Sequence, residues 1–150
     1  MGHFSIQELT RSETAAKLGI DNAPSATIRR HIEELIRTLE LLRAAWAEEC
    51  KQHGWGTPAI EVTSGYRSPR LNRAVGGVYN SAHLTGWAAD LKPVNGRQAD
   101  FERWASGVFG TSGARYDQLI IERSCAARWL HFGLKDLKGR QRMQRFSVTK

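Results

Sequence analysis

The run from Ser25 to His53 constrains this chain more than any other segment. Within it Ile28, Ile32, Leu35, Ile36, Leu39, Leu42, Ala45 and Trp46 recur at steps of mostly three and four residues, which places them on one stripe of an α-helix. A helix this long is a structural spine, and its apolar stripe needs a partner surface from the rest of the chain. Upstream, Ser5 followed by Glu8 forms a capping-box pattern, and one short helix is expected from Ser5 to Leu18. The segment GIDNAPS then reads as a loop, with Asn22 and Pro24 as breakers.

After GWGTP the period changes. AIEVTSGYRS begins as a strand by its β-branched content, and SGYRSPRLN turns into a short helix. WAADLKP reads as a strand closed by Pro93, and GRQADFERWASGVFG as a second amphipathic helix. YDQLIIER and ARWLHFGL form a β-hairpin around Ser124 to Ala127. Helices come first, strands follow, and no βαβ alternation appears. The expected class is α+β, with N-terminal helices packed on a small, mainly antiparallel sheet.

At 150 residues, 41% of them hydrophobic, and with no repeat or low-complexity linker, the chain fits one domain spanning 1–150. Its formal net charge of +7 draws it toward polyanions. Much of the excess lies in KDLKGRQRMQRFSVTK, which reads as a solvated basic tail over about 135–150. Cys50 and Cys125 match no metal-binding or redox spacing and read as free thiols, at least partly buried. MGHFSIQELTRSE lacks the pattern of a secretory signal, and no run approaches a membrane span, so a chain made in the cytoplasm is expected.

The chemistry concentrates in SAHLTGWAADL, where His83 and Asp90 lie close together in a half-apolar segment. Each is costly to bury without a partner. A second histidine, His131, sits in the outgoing strand of the hairpin. Two imidazoles and one carboxylate are the three protein ligands a tetrahedral catalytic zinc requires, with a fourth position open. If Ala88–Asp90 lies beside the hairpin, the loop carrying His83 can fold back over the same sheet face, and Gly86 lets it turn tightly. His3, His31 and His53 read as ordinary histidines, His53 beside the last carbonyls of the long helix.

SGYRSPRLNRAVGG, SAHLTGWAADL, YDQLIIE and WLHFGL, in that order, resemble the zinc D-alanyl-D-alanine metallopeptidases of the M15 family, particularly the branch of phage endolysins and murein peptidases. The pattern Ser-x-His-x-x-Gly-x-x-x-Asp is met by Ser81, His83, Gly86 and Asp90, and Trp-x-His by Trp129 and His131. FSIQELTRSETAAKLGIDNAPS is similar to the entry segment of this branch, so the likeness runs to about Leu134. It implies a hedgehog-like peptidase fold, Zn2+ on His83, Asp90 and His131, and Arg67 in the cleft, where its guanidinium holds a carboxylate or an oxyanion. Ser64 and Ser81 read as turn and loop hydrogen-bonders.

One departure matters. Many family members carry an acid three residues before the last zinc histidine, and here that residue is Arg128. Pairing Ile120 with His131 would instead put Glu122 opposite Trp129 and on the same face as His131, which makes Glu122 the candidate general base. A register slip of one would turn it away. Asp117 is the second choice and reads better as a structural residue at the entry to the hairpin.

The implied activity is zinc-dependent hydrolysis of an amide in D-amino-acid-containing peptidoglycan stem peptides, with Glu122 moving the proton and Arg67 stabilising the oxyanion. The basic surface would collect the protein on an anionic cell envelope. A phage lysin released from the cytoplasm to the periplasm and cell wall, acting as a monomer, fits this set. Two other classes stay open: a zinc-containing cell-wall recognition module without catalysis, suggested by Arg128, and a nucleic-acid binder, suggested by charge alone. No specific nucleic acid is expected, because the aromatics do not interleave with the basic segment.

Overall fold

A computed structural model describes residues 2–150. The N-terminal part is helical: α1 (Ile6–Thr10), α2 (Glu13–Leu18) and the 28-residue α3 (Ala26–His53). The single helix expected from Ser5 to Leu18 is two. The break falls at Arg11, and Ser12 caps α2 by accepting from the Ala15 N–H. α3 starts at Ser25, whose side chain accepts from the Ile28 N–H, and ends at Gly54 in the left-handed region at φ 66°. Ile32, Leu35, Leu39, Leu42, Trp46 and Cys50 form its fully buried stripe. Ala45 is exposed and Cys50 extends the stripe one turn further.

The rest supplies the partner surface: β1 (Ile60–Ser64), α4 (Pro69–Ala74), β2 (Ala88–Pro93), α5 (Gln98–Gly107), β3 (Gln118–Arg123), β4 (Arg128–Gly133) and β5 (Gln144–Thr149). The strands form one five-stranded sheet in the order β1-β2-β4-β3-β5, antiparallel except for the parallel β3–β5 pair. Strand alternation splits the sheet into two faces. One row, with Val62, Leu91, Leu119, Leu130 and Phe132, joins the α3 stripe and Phe101 and Trp104 of α5 in a single core. The other row carries Asp90, Glu122 and His131 and lines an open cleft.

The basic segment is not a solvated tail. Residues 144–149 are β5, and Asp117 accepts from the Arg142 backbone N–H and, at 2.8 Å each, from its Nε and its terminal nitrogen. Asp136 takes the Arg140 Nε at 2.6 Å. The excess cations are thus partly spent on stitching this segment to the entry of the hairpin. Both cysteines are free, Cys50 buried and, contrary to expectation, Cys125 exposed in the β3–β4 turn. Among the described residues, no helix is long and apolar enough to cross a membrane.

Candidate metal centre and its cleft

The three candidate ligands come from three elements. Asp90 is on β2, directly opposite His131 on β4. His83 sits in a 3-10 turn, Ala82–Thr85, that folds back over the same face. Ser81 caps that turn by accepting from the His83 N–H, and Gly86 ends it at φ 80°. The turn is tied down further by the Arg67 N–H, which donates to the His83 carbonyl at 3.0 Å.

Asp90 Oδ1 is 3.4 Å from His83 Nε2 and 3.2 Å from His131 Nδ1. One ligand atom from each residue lies within 4.8 Å of the others. His83 Nδ1 donates to the Gly65 carbonyl at 2.7 Å, so the ring presents its Nε2 lone pair to the site. Burial pushes the His83 imidazole down, against the pull of Asp90, and the ring is neutral and able to ligate at neutral pH. Burial works in the opposite direction on Asp90, but contacts with His83 and His131 outweigh it and hold the carboxyl well below the usual carboxylate range. Two imidazoles and an ionised carboxylate, converging with an open side toward a cavity of about 670 Å³, suit a tetrahedral divalent cation, zinc foremost.

Glu122 lies beside this group. The hairpin register is Ile120 opposite His131 and Glu122 opposite Trp129, and Glu122 Oε2 is 3.9 Å from His131 Nδ1. Trp129 Nε1 donates to Oε2 at 3.0 Å, and Lys150 Nζ reaches Oε1 at 2.7 Å. Both oxygens are therefore held in fixed directions. Lys150 also lies over the Trp129 ring, 5.7 Å from its centroid. Nothing in the sequence marked Lys150, because its place depends on β5 pairing in parallel with β3.

Arg67 lines the other end of the cleft. A terminal nitrogen of its guanidinium is 3.4 Å from Ser81 Oγ, and its buried Nε has no hydrogen-bond partner. Burial lowers its pKa against the pull of Asp90 and Glu122, yet an arginine stays charged there. Its position is set by Asn22, which the sequence marks only as a breaker. Asn22 Oδ1 accepts from the Ser68 N–H at 2.7 Å, and Nδ2 donates to the Tyr66 and Thr10 carbonyls at 3.0 and 2.9 Å. The residues on both sides of Arg67 are thereby fixed.

The remaining sequence candidates lie elsewhere. Arg128 is on the opposite face of β4 and pairs with Glu102 of α5 at 2.6 Å. Asp117 lines the far end of the cleft, bound to Arg142. Ser64 sits opposite Asp90, just past an irregularity in the β1–β2 ladder. His31 Nδ1 donates to the Thr85 carbonyl at 2.7 Å and stacks on Trp87, while His53 stacks on Trp55 and pairs with Glu49.

Against known proteins, 46 residues are 44% identical to the zinc D-Ala-D-Ala carboxypeptidase of Streptomyces albus G. That stretch spans 31% of this chain and 18% of the relative. The sequence pattern described as Peptidase M15 matches residues 2–121, which takes in Arg67, His83 and Asp90 and stops short of Glu122 and His131. The fold returns those last two to the same cleft, and the match covers most of the chain. This protein belongs to the peptidase M15 family.

Proposed function

We propose that the protein is a zinc metallopeptidase that hydrolyses an amide bond in D-amino-acid-containing peptides of peptidoglycan. The observation that carries this reading is the convergence of His83, Asp90 and His131 within 4.8 Å, with Glu122 alongside, in a member of a peptidase family. The related carboxypeptidase is named for zinc and D-Ala-D-Ala, which makes that bond the first to test.

Zinc bound by the three ligands would supply Lewis-acid chemistry, polarising a carbonyl and acidifying water. Glu122 takes a proton at one carboxylate oxygen and delivers it to the leaving amine. Trp129 and Lys150 hold that carboxylate while it acts. Arg67 offers its unpartnered Nε–H to an oxygen of the substrate, either a carboxylate or the developing oxyanion. The net charge of +7 favours accumulation on an anionic cell envelope, in keeping with a lytic, endolysin-like role at the cell wall.

The test is release of new amino groups from purified peptidoglycan, with mass spectrometry of the fragments and metal analysis of each protein. Glu122→Gln is expected to keep its zinc and lose about 100- to 10,000-fold in hydrolysis, whereas His131→Ala loses the metal. Zinc binding without any cleavage by the wild type would favour a recognition module.

A further inference from the structure

His31 lies at the margin of the α3 core stripe, half-buried. Its Nδ1 donates to the Thr85 carbonyl at 2.7 Å, a bond between residues 54 positions apart in the chain. Its ring stacks on Trp87, with centroids 3.8 Å apart and planes inclined by 23°. Thr85 and Trp87 flank Gly86, where a Cβ would run into Ile28 and Ile32 of the same helix. One face of α3 therefore grips the end of the turn that carries His83. Trp87 is fixed from two further directions. Lys135, paired with Glu34 of α3 at 2.9 Å, places its ammonium 5.3 Å from the indole centroid. The Trp87 carbonyl accepts from the Leu134 N–H at 2.7 Å, just past β4.

Packing alone does not call for a histidine at this place. Ile28 and Ile32 already meet the turn at Gly86, and a hydrocarbon ring would stack on Trp87 as well as an imidazole does. What the imidazole adds is one directed donor to a peptide carbonyl, and that carbonyl lies two residues after His83 in the Ala82–Thr85 turn. The Gly65 carbonyl sets the direction of the His83 ring. The height and tilt of the turn set where that ring stands relative to Asp90 and His131. We infer that His31 is a positioning residue of the metal centre: through the Thr85 carbonyl it holds the turn against the helical spine, at the setting in which His83 Nε2 completes the ligand set. This rests on reading the site as a zinc centre and adds to it a residue that is not itself a ligand.

The experiment compares wild type, His31→Phe and His31→Asn. The phenylalanine keeps the stack and removes the donor. The asparagine removes the ring but carries an amide N–H at the same number of bonds from the backbone as Nδ1. Zinc affinity is measured by competition with a chelating dye, alongside the melting temperature of each metal-free protein and cleavage of purified peptidoglycan at saturating zinc. His31→Phe is expected to melt close to wild type and to bind zinc about tenfold more weakly. His31→Asn is expected to melt lower, having lost the stack, yet to bind zinc within about threefold of wild type. A histidine that serves stability alone gives the reverse order, with His31→Phe binding zinc as wild type does and His31→Asn more weakly. That order, or equal zinc affinity in all three proteins, overturns the inference. If wild type binds zinc and cleaves nothing while the affinities keep the expected order, the peptidase reading falls and the positioning role stands.

Discussion

Gly86 shows how one atom can decide whether His83 reaches the site. A Cβ at this position would lie 2.9 Å from Ile32 Cγ1, 3.0 Å from Ile28 Cγ2 and 3.2 Å from the Ile28 carbonyl, on a backbone at φ 80°. Strain and overpacking act together there, and Gly86→Ala should cost about 2–3 kcal/mol of stability by urea unfolding. It should also weaken metal binding in a titration, since His83 is displaced with the turn. An unchanged metal affinity would show that the turn tolerates the shift. Gly86 was legible because its spacing from His83 and Asp90 forms a pattern. Gly65 acts through its carbonyl on His83 Nδ1, and a backbone oxygen leaves no mark of residue type in a sequence.

At the scale of an element, β4 sorts its side chains by alternation. Trp129 and His131 face the cleft, whereas Arg128, Leu130 and Phe132 face α5 and the core. An acid at position 128 would therefore meet Glu102 rather than the metal centre. Arg128→Glu is expected to lower the melting temperature by like-charge repulsion and to leave peptidoglycan cleavage no faster than in wild type. Increased cleavage would mean that the strand end can turn over. The β3–β4 pairing could be read beforehand because the two strands are local and strongly apolar, joined across residues 124–127. β5 could not: its Phe146 is 44% exposed, and an edge strand with one apolar side only half-covered looks like a charged tail. The α1–α2 break is hidden in the sequence because Ser12 follows a capping pattern already satisfied at Ser5.

For the whole molecule, the N-terminal segment is fastened to the spine by Glu40. Its carboxylate accepts from the His3 ring at 2.7 Å and from the backbone N–H groups of His3 and Phe4. Burial raises its pKa, but hydrogen bonds, that from the His3 side chain foremost and those from the His3 and Phe4 backbone among them, more than offset this and hold it at about 2. A carboxylate depressed on folding contributes stability above its unfolded pKa and loses it as pH falls through the folded value. Denaturant titrations of wild type and Glu40→Gln should therefore differ most near neutrality and converge from about pH 4.5 toward pH 2. A constant gap across that range would assign the effect to packing.

The sheet is covered on one face by α3 and α5 and left open on the other, and this divides the cost of change unevenly. Replacing Leu91, Leu130 or Phe132 removes atoms from a close-packed interior, at about 2–5 kcal/mol each. Replacing Gln118, which lines the cleft on the open side, changes that lining while the interior stays whole. Stability and selectivity are thus written on alternate residues of the same strands, and the groove is free to diversify at little risk to the scaffold beneath it.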